Sequence, residues 1–344
     1  YKHRTRSSDA PTVETTPTGA SVRVYHLERY LPIFSYRYFQ TKGIDAKNNY
    51  EAFYPNSTWT GDDGFNVSNA SVKEYGIIAN NGYIHAVDRV VEPLETIYTE
   101  LKNKEKYSTF LDLYDSFGVY VADDELSKSY AKAYGVDTLY QYQHGGLPNI
   151  ACEWPTSSYL NFTALTALSY SIFAPSNTAI NSFFDSFWKI GGYSSMQEVD
   201  ALALNYFLYQ FIYGGSMLFP EELGDDELKN LAGSSLNINP AALNEKTMCV
   251  NGALYGMDEI KEPSTFASVI GPLFQYKSAR SFLYALLGSS LFSSYVSDLS
   301  KYIVLVPTAE QFGASGIRTV YSTQGLEAEG DDGWAEISNT AKQN

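Results

Sequence analysis

Residues Tyr170-Ser171-Ile172-Phe173-Ala174-Pro175-Ser176-Asn177-Thr178-Ala179-Ile180 hold an apolar strand that runs straight into a capped helix. Ile172, Phe173 and Ala174 form a short, almost wholly apolar run closed by a proline, the pattern of a strand buried on both faces. Ser176 and Asn177 suit a helix N-cap, because their side-chain oxygens take up backbone N–H groups that the first turn leaves open. Ala179, Ile180, Phe183 and Phe184 then recur at helical spacing.

The same order of features returns at Tyr302-Ile303-Val304-Leu305-Val306-Pro307-Thr308-Ala309-Glu310-Gln311-Phe312, where Thr308 and Gln311 have the spacing of a capping box. A second pair of segments repeats independently. Asn81-Gly82-Tyr83-Ile84-His85-Ala86-Val87-Asp88-Arg89-Val90-Val91-Glu92-Pro93 aligns with Asn251-Gly252-Ala253-Leu254-Tyr255-Gly256-Met257-Asp258-Glu259-Ile260-Lys261-Glu262-Pro263. Asn-Gly, Asp and Glu-Pro all stay in register, and the constant offset from Asn81 to Asn251 is the size of a domain and far beyond a solenoid unit.

These segments resemble tandem fasciclin domains. In that family a Phe-Ala-Pro-(Ser/Thr)-Asn-x-Ala-(Phe/Ile) segment lies near the start of a domain, matched at 173–180. An Asn-Gly-apolar-apolar-His-x-apolar-Asp-x-apolar-apolar-x-Pro segment closes it, matched at 81–93. A mid-domain Tyr-His pair has its counterpart in Tyr25-His26, whereas the second repeat carries Tyr206-Phe207, and Tyr255 where the closing His should stand. The likeness spans residues 20–312. It implies an α+β fold of tandem fasciclin-like domains, each a β-wedge of strands with packed helices, the first and last units incomplete.

On this reading residues 1–20 are a linker or tail, and the Pro/Thr-rich composition of 7–20 fits a long loop. Residues 21–93 are the rear part of a first domain, with a helix-like stretch from Val22 to Phe39 and strands from Phe65 to Val91. Residues 94–263 are a complete domain, with helical spacing at 94–101 and 107–113. Phe110 and Pro175 lie 65 positions apart, against 25 for the equivalent Phe282 and Pro307, which marks an insertion of about 40 residues within 115–165. Residues 264–344 are the front part of a further domain, with a helix at 279–287, a strand and helix start at 302–312, and a loop-like tail after Gly325. Each half-unit should expose the face on which its missing half belongs. Three completions are open: the halves rebuild one domain within the chain, a partner chain covers each, or the missing halves lie outside these residues.

Composition narrows the function classes. A net charge of -15 argues against nucleic acid, whose phosphates require a Lys/Arg surface. No apolar run reaches the 18 or so residues that span a bilayer, and no signal-peptide pattern opens at Tyr1, so either the chain is cytosolic or its targeting segment lies outside these residues; the resemblance, to a mostly extracytoplasmic family, implies the second. Cys152 and Cys249 cannot build a disulfide scaffold or a four-ligand zinc site; both read as small buried hydrophobes, with a single bridge as the alternative. Sequons begin at Asn56, Asn66, Asn69 and Asn161, as frequent as chance allows in a chain rich in Asn and Ser.

There is no Gly-x-Ser-x-Gly elbow, His-Glu-x-x-His, Walker loop or dinucleotide glycine fingerprint, and no cofactor is expected. The carboxylate pairs Asp62-Asp63, Asp225-Asp226 and Asp331-Asp332 lack calcium-loop spacing and read as turns. His3 lies in a tail, His26 and His85 read as parts of the fold, and His144 in Gln143-His144-Gly145-Gly146 belongs to a loop. Tyrosine is the anomalous residue, 29 of 344. The inserted region holds Tyr120, Tyr130, Tyr134, Tyr140, Tyr142, Trp154 and Tyr159, rings with a polar edge that suit a contact surface or simply pack the insertion. Tyr130, Tyr134, Tyr140, Tyr142, His144 and Trp154 are the candidate binding residues, and removal of about residues 120–160 is expected to leave a folded protein that binds less.

The resemblance implies a non-enzymatic, extracytoplasmic surface protein for binding or adhesion. It is similar to cell-surface fasciclin lipoproteins of Bacteroidota, which are associated with SusC/SusD-like outer-membrane nutrient importers. The partner implied is then a protein, an importer complex first, with a glycan as a further ligand and the membrane reached only through a lipid anchor outside these residues. The alternative is a hydrolase whose site lies in the insertion, around His144, Asp123, Asp124 and Glu125.

Overall fold

The computed structural model describes residues 2–6, 13–15, 21–23, 28–132, 135–151, 169–225, 227–236, 238–287, 289, 291–296 and 301–343. They form a mixed α+β protein of two compact units. The larger comprises 1–177, 211–228 and 238–259, the smaller 178–210, 229–237 and 260–344.

In chain order the strands of the larger unit are β1 (Lys2–Arg6), β2 (Val13–Thr15), β3 (Ser21–Arg23), β4 (Glu28–Phe34), β5 (Asn66–Val67), β6 (Ala70–Ala79) and β7 (Gly82–Val87). They continue with β8 (Gly118–Ala122), β9 (Leu139–His144), β10 (Tyr170–Pro175), β11 (Ile212–Tyr213), β12 (Leu243–Cys249) and β13 (Gly252–Met257). Three sheets result, ordered β1-β4-β5-β6-β7, β2-β3-β9-β8 and β11-β10-β13-β12. β10 is a central strand, antiparallel to β11 and parallel to β13, with Ile172 facing Leu254 and Phe173 facing Tyr255 in register. Ser171 to Pro175 are all buried, as the apolar run requires, and the Phe173 ring stacks on Tyr255 at 5.1 Å. The chain then enters the helix Asn177–Phe183.

The repeat read from the sequence has a physical counterpart. β6 and β7 form a hairpin in which Ala79 faces Gly82, Ile78 faces Tyr83 and Ile77 faces Ile84. β12 and β13 form another in which Cys249 faces Gly252, Met248 faces Ala253 and Thr247 faces Leu254, the same pairs one repeat further along the chain. Their surroundings differ: all six residues of β13 are buried, and all six of β7 are exposed. Gly252 is needed because β10 passes so close that a Cβ there would lie 1.9 Å from the Tyr170 carbonyl oxygen.

The repeated aspartates each accept hydrogen bonds. The Lys106 ammonium, aided by Asn244, holds Asp258 below the usual carboxylate range. At Asp88 partial burial pushes upward, but the Ser71 N–H at 2.8 Å and Arg89 outweigh it and the carboxyl is again lowered. A carboxylate depressed in the folded state adds stability above its unfolded value of 3.8, and that share is lost as pH falls through the folded one. The double variant Asp88→Asn/Asp258→Asn is therefore expected to lose less melting temperature between pH 7 and about pH 3 than the native chain. Equal losses by calorimetry would contradict the assignment.

Several sequence expectations change. Residues 22–39 were expected as helix, but β3 and β4 precede a short helix at Tyr36–Lys42. Pro32 lacks the N–H a helix interior needs, and burial of Pro32 and Phe34 beside the half-buried Leu31 and Ile33 follows the strand period of two. Val13–Thr15, expected as linker, pairs antiparallel with β3. Tyr25 and His26 lie outside the described residues. Strands between Phe65 and Val91 and helices at Ile97–Lys102 and Ser108–Asp115 fall where the periodicity places them.

The smaller unit buries an aromatic cluster. Trp188 lies 5.3 Å from Phe183 and 5.2 Å from Phe207, and its indole N–H donates to the Phe274 carbonyl at 3.2 Å. Residues 302–306, expected as a strand, belong to none: Ile303 is 94% exposed and Leu305 84%. An extended apolar segment becomes a strand only with a neighbour to take its backbone groups, and none of the described residues does so. The capping box forms, the Thr308 N–H donating to Gln311 Oε1 at 2.8 Å. The tail is not a loop. β14 (Ile317–Val320), β15 (Gly325–Gly330) and β16 (Gly333–Glu336) make an antiparallel sheet pinned by the buried Leu326, with Asp331-Asp332 as a two-residue turn between glycines.

Candidate functional site

The inserted region builds two strands of the larger unit, and β9 carries Tyr140, Tyr142 and His144 as consecutive members of one face. Tyr142 and His144 converge on Asp115, at the end of the helix Ser108–Asp115. His144 Nε2 lies 2.9 Å from Asp115 Oδ1, and the Tyr142 hydroxyl donates to the same oxygen at 3.1 Å. The Tyr98 hydroxyl donates to Oδ2 at 3.0 Å. The imidazole is enclosed by the rings of Tyr114 at 4.6 Å, Tyr142 at 4.9 Å and Tyr98 at 6.0 Å. Opposite it β8 has Gly118, where a Cβ would strike the Tyr142 hydroxyl at 2.0 Å, so glycine makes room for that ring.

Electrostatics fix the roles. Burial first, and the Asp115 charge second, raise the Tyr98 and Tyr142 hydroxyls well above the usual tyrosine range and keep them as donors. One carboxylate thus accepts from three side chains. The His144 side chain has no exposed surface, and its Nδ1 is buried without a hydrogen-bond partner among the described residues. A general base needs a nitrogen within reach of a substrate proton, and His144 presents none to solvent. It is a buried member of a network, not the loop residue expected from the sequence.

Asp123, Asp124 and Glu125 are not part of this cluster. Gly118 pairs with His144 and Ala122 with Tyr140, so Asp123 lies five residues along the ladder from His144, roughly 16 Å. Asp124 and Glu125 are exposed, and Glu125 pairs with Lys128 at 3.0 Å. Tyr130 lies in a short helical turn at Ser127–Ala131. Tyr134 and Trp154 lie outside the described residues, as does Cys152, while Cys249 is buried. His85 is exposed on β7, where its Nδ1 accepts the Gly76 N–H at 3.2 Å. Among the described residues no group of three or more His, Cys, Asp or Glu is placed to hold a metal ion, and no helix is long and apolar enough to cross a membrane.

The insertion is also not dispensable. The Ile150 carbonyl, on a fully buried residue, accepts the Tyr98 N–H at 3.1 Å and the Asn251 amide at 2.8 Å, and the Pro148 carbonyl accepts the Tyr114 hydroxyl at 2.6 Å. Removal of residues 120–160 would take Leu139, His144 and Ile150 out of the core, contrary to the sequence expectation. Among the described residues β8 is an edge strand, and its Val119, Tyr120 and Val121 are 42–46% exposed.

A feature that the sequence did not announce is a cleft of about 600 Å³ in the larger unit, lined by Phe34, Arg37, Tyr38, Met217, Met248 and Cys249 among others. Burial, helped by the Glu222 charge, pushes the Tyr38 hydroxyl up to about 12, so it stays protonated at the cleft wall. Two of the chain's four methionines line it, a soft apolar signal too weak to be read from spacing. No protein-family model matches the chain, and neither does any curated protein sequence.

Proposed function

We propose that this is a non-enzymatic, extracytoplasmic surface protein of tandem fasciclin-like architecture that works by binding, with an accessory role beside a SusC/SusD-like outer-membrane importer as its setting. The observation that carries the binding reading is the exposed edge of β8, where Val119, Tyr120 and Val121 present apolar and aromatic surface next to backbone groups that no strand among the described residues pairs. The repeated hairpins, β6–β7 and β12–β13, support the tandem reading. The enclosure of His144 by Asp115 and three tyrosines speaks against the hydrolase alternative.

In biolayer interferometry against an isolated SusC/SusD-like importer, the double variant Val119→Asp/Val121→Asp is expected to bind about tenfold more weakly, with an unchanged melting temperature. Both side chains are exposed, so folding should not suffer. Equal binding by the variant removes β8 from the contact. Ester, glycoside or peptide turnover that disappears in His144→Ala would replace the reading with the hydrolase.

A further inference from the structure

The β6–β7 and β12–β13 hairpins share their pairing but not their company. β13 carries β10 on its outer edge, in parallel register with Tyr170 opposite Gly252, Ile172 opposite Leu254 and Pro175 opposite Met257. β7 ends its sheet, and its outer edge has no strand among the described residues. Around that edge both faces of the hairpin are open to water, Ile78 (83% exposed) and its partner Tyr83 (72%) on one and Ile84 (56%) on the other.

The chain also contains the strand that this edge lacks. Residues 302–307 repeat 170–175 in the order of their features, stay outside every sheet and lead into a helix with a formed capping box. A further observation comes from Gly82. A Cβ at Gly252 would collide with the Tyr170 carbonyl, but a Cβ at Gly82 meets nothing within 4 Å, and Gly82 is not among the glycines with positive φ. Neither space nor backbone conformation in this chain alone requires glycine there. A strand arriving as β10 does at β13 would require it.

We propose that β7 accepts residues 302–307 of a second copy of this chain as a parallel strand, with Tyr302 opposite Gly82, Val304 opposite Ile84 and Pro307 opposite Val87. The register is that of β10 on β13 carried through both repeats. The parity of the hydrogen bonds follows as well: the N–H groups of Tyr170 and Ser176 donate to Asn251 and Met257, so the N–H of Val304 points at β7. The occupant is a second copy because acceptor edge and donor segment are both exposed in the same chain, and the donor matches the edge by sequence. Acceptor and donor are different patches, so the contact is heterologous and closes as a reciprocal dimer or ring, or continues as a fibre. This inference stands apart from the importer reading, whose contact is β8.

Sedimentation velocity on the 344-residue chain between about 1 and about 100 µM tests it, a range that reveals micromolar association. A mass that rises with concentration is expected. Val304→Pro removes the ladder N–H, and Gly82→Ala adds a methyl group where the strand must pass. Each should weaken association at least about tenfold, with circular dichroism and melting temperature little changed, because the half-buried Val304 belongs to no strand and a Cβ at Gly82 meets nothing within 4 Å. A tagged Val304→Cys copy mixed with an untagged Ile84→Cys copy should give a disulfide-linked pair of unlike chains. A monomer throughout the range, association indifferent to both variants, or a Val304→Cys/Ile84→Cys chain that closes its disulfide within one molecule would each overturn the proposal.

Discussion

Gly252→Ala is expected to destabilise the larger unit by about 3–5 kcal/mol, combining overpacking with a strained backbone conformation. Gly252 has φ of +142°, where a side chain is rarely tolerated, and its added Cβ would lie 1.9 Å from the Tyr170 carbonyl oxygen and 2.7 Å from the Tyr170 nitrogen. Those atoms belong to the central strand, so they cannot withdraw without breaking the parallel ladder with β13. Urea unfolding followed by circular dichroism should show the loss as a lower midpoint. The same substitution at Gly82 should cost under about 1 kcal/mol, since nothing lies within 4 Å there. Similar costs at the two positions would mean that the hairpins are not in the different environments described.

Asp115→Ala is expected to cost about 3 kcal/mol, because one truncation removes the acceptor of Tyr98, Tyr142 and His144 together. The figure is less than three full penalties because the tyrosine hydroxyls can turn toward water, whereas the His144 side chain is wholly enclosed. Asp115→Asn keeps an acceptor oxygen and should cost about 1 kcal/mol, and Tyr142→Phe about the same, since it deletes one donor while keeping the ring. The order Asp115→Ala above Asp115→Asn and Tyr142→Phe is the test. An Asp115→Ala variant as stable as the native chain would show that the cluster does not hold the insertion to the helix Ser108–Asp115.

The two predictions share a cause. In each a residue that looks ordinary in the sequence becomes critical because a segment distant along the chain arrives beside it: Tyr170 of β10 beside Gly252, and the insertion beside Asp115. Sequence spacing could flag Gly252 through its repeat partner. Nothing local flagged Asp115.

Local chemistry by itself determined the elements with strong signals. The apolar run at 172–174 closed by Pro175, the helical spacing at 94–101 and 107–113, and the capping box at Thr308 and Gln311 are short-range patterns, and the described structure has a strand, helices at Ile97–Lys102 and Ser108–Asp115, and the capping box there. The sequence also determined that the segment holding Gly82–Val87 repeats as the one holding Gly252–Met257, and the structure makes each the second strand of a hairpin in the same register, since turn residues and alternating side chains set hairpin register locally. Only the tertiary structure decided which of these equivalent segments is buried. Residues 170–175 and 302–307 carry the same pattern, yet the first is a core strand and the second an exposed segment. A strand exists through hydrogen bonds to a neighbour, and the presence of a neighbour is not encoded within so short a segment. The same reason placed His144: its sequence surroundings read as a loop, and the pairing of β9 with β8 and the approach of Asp115 made it a buried, bonded imidazole.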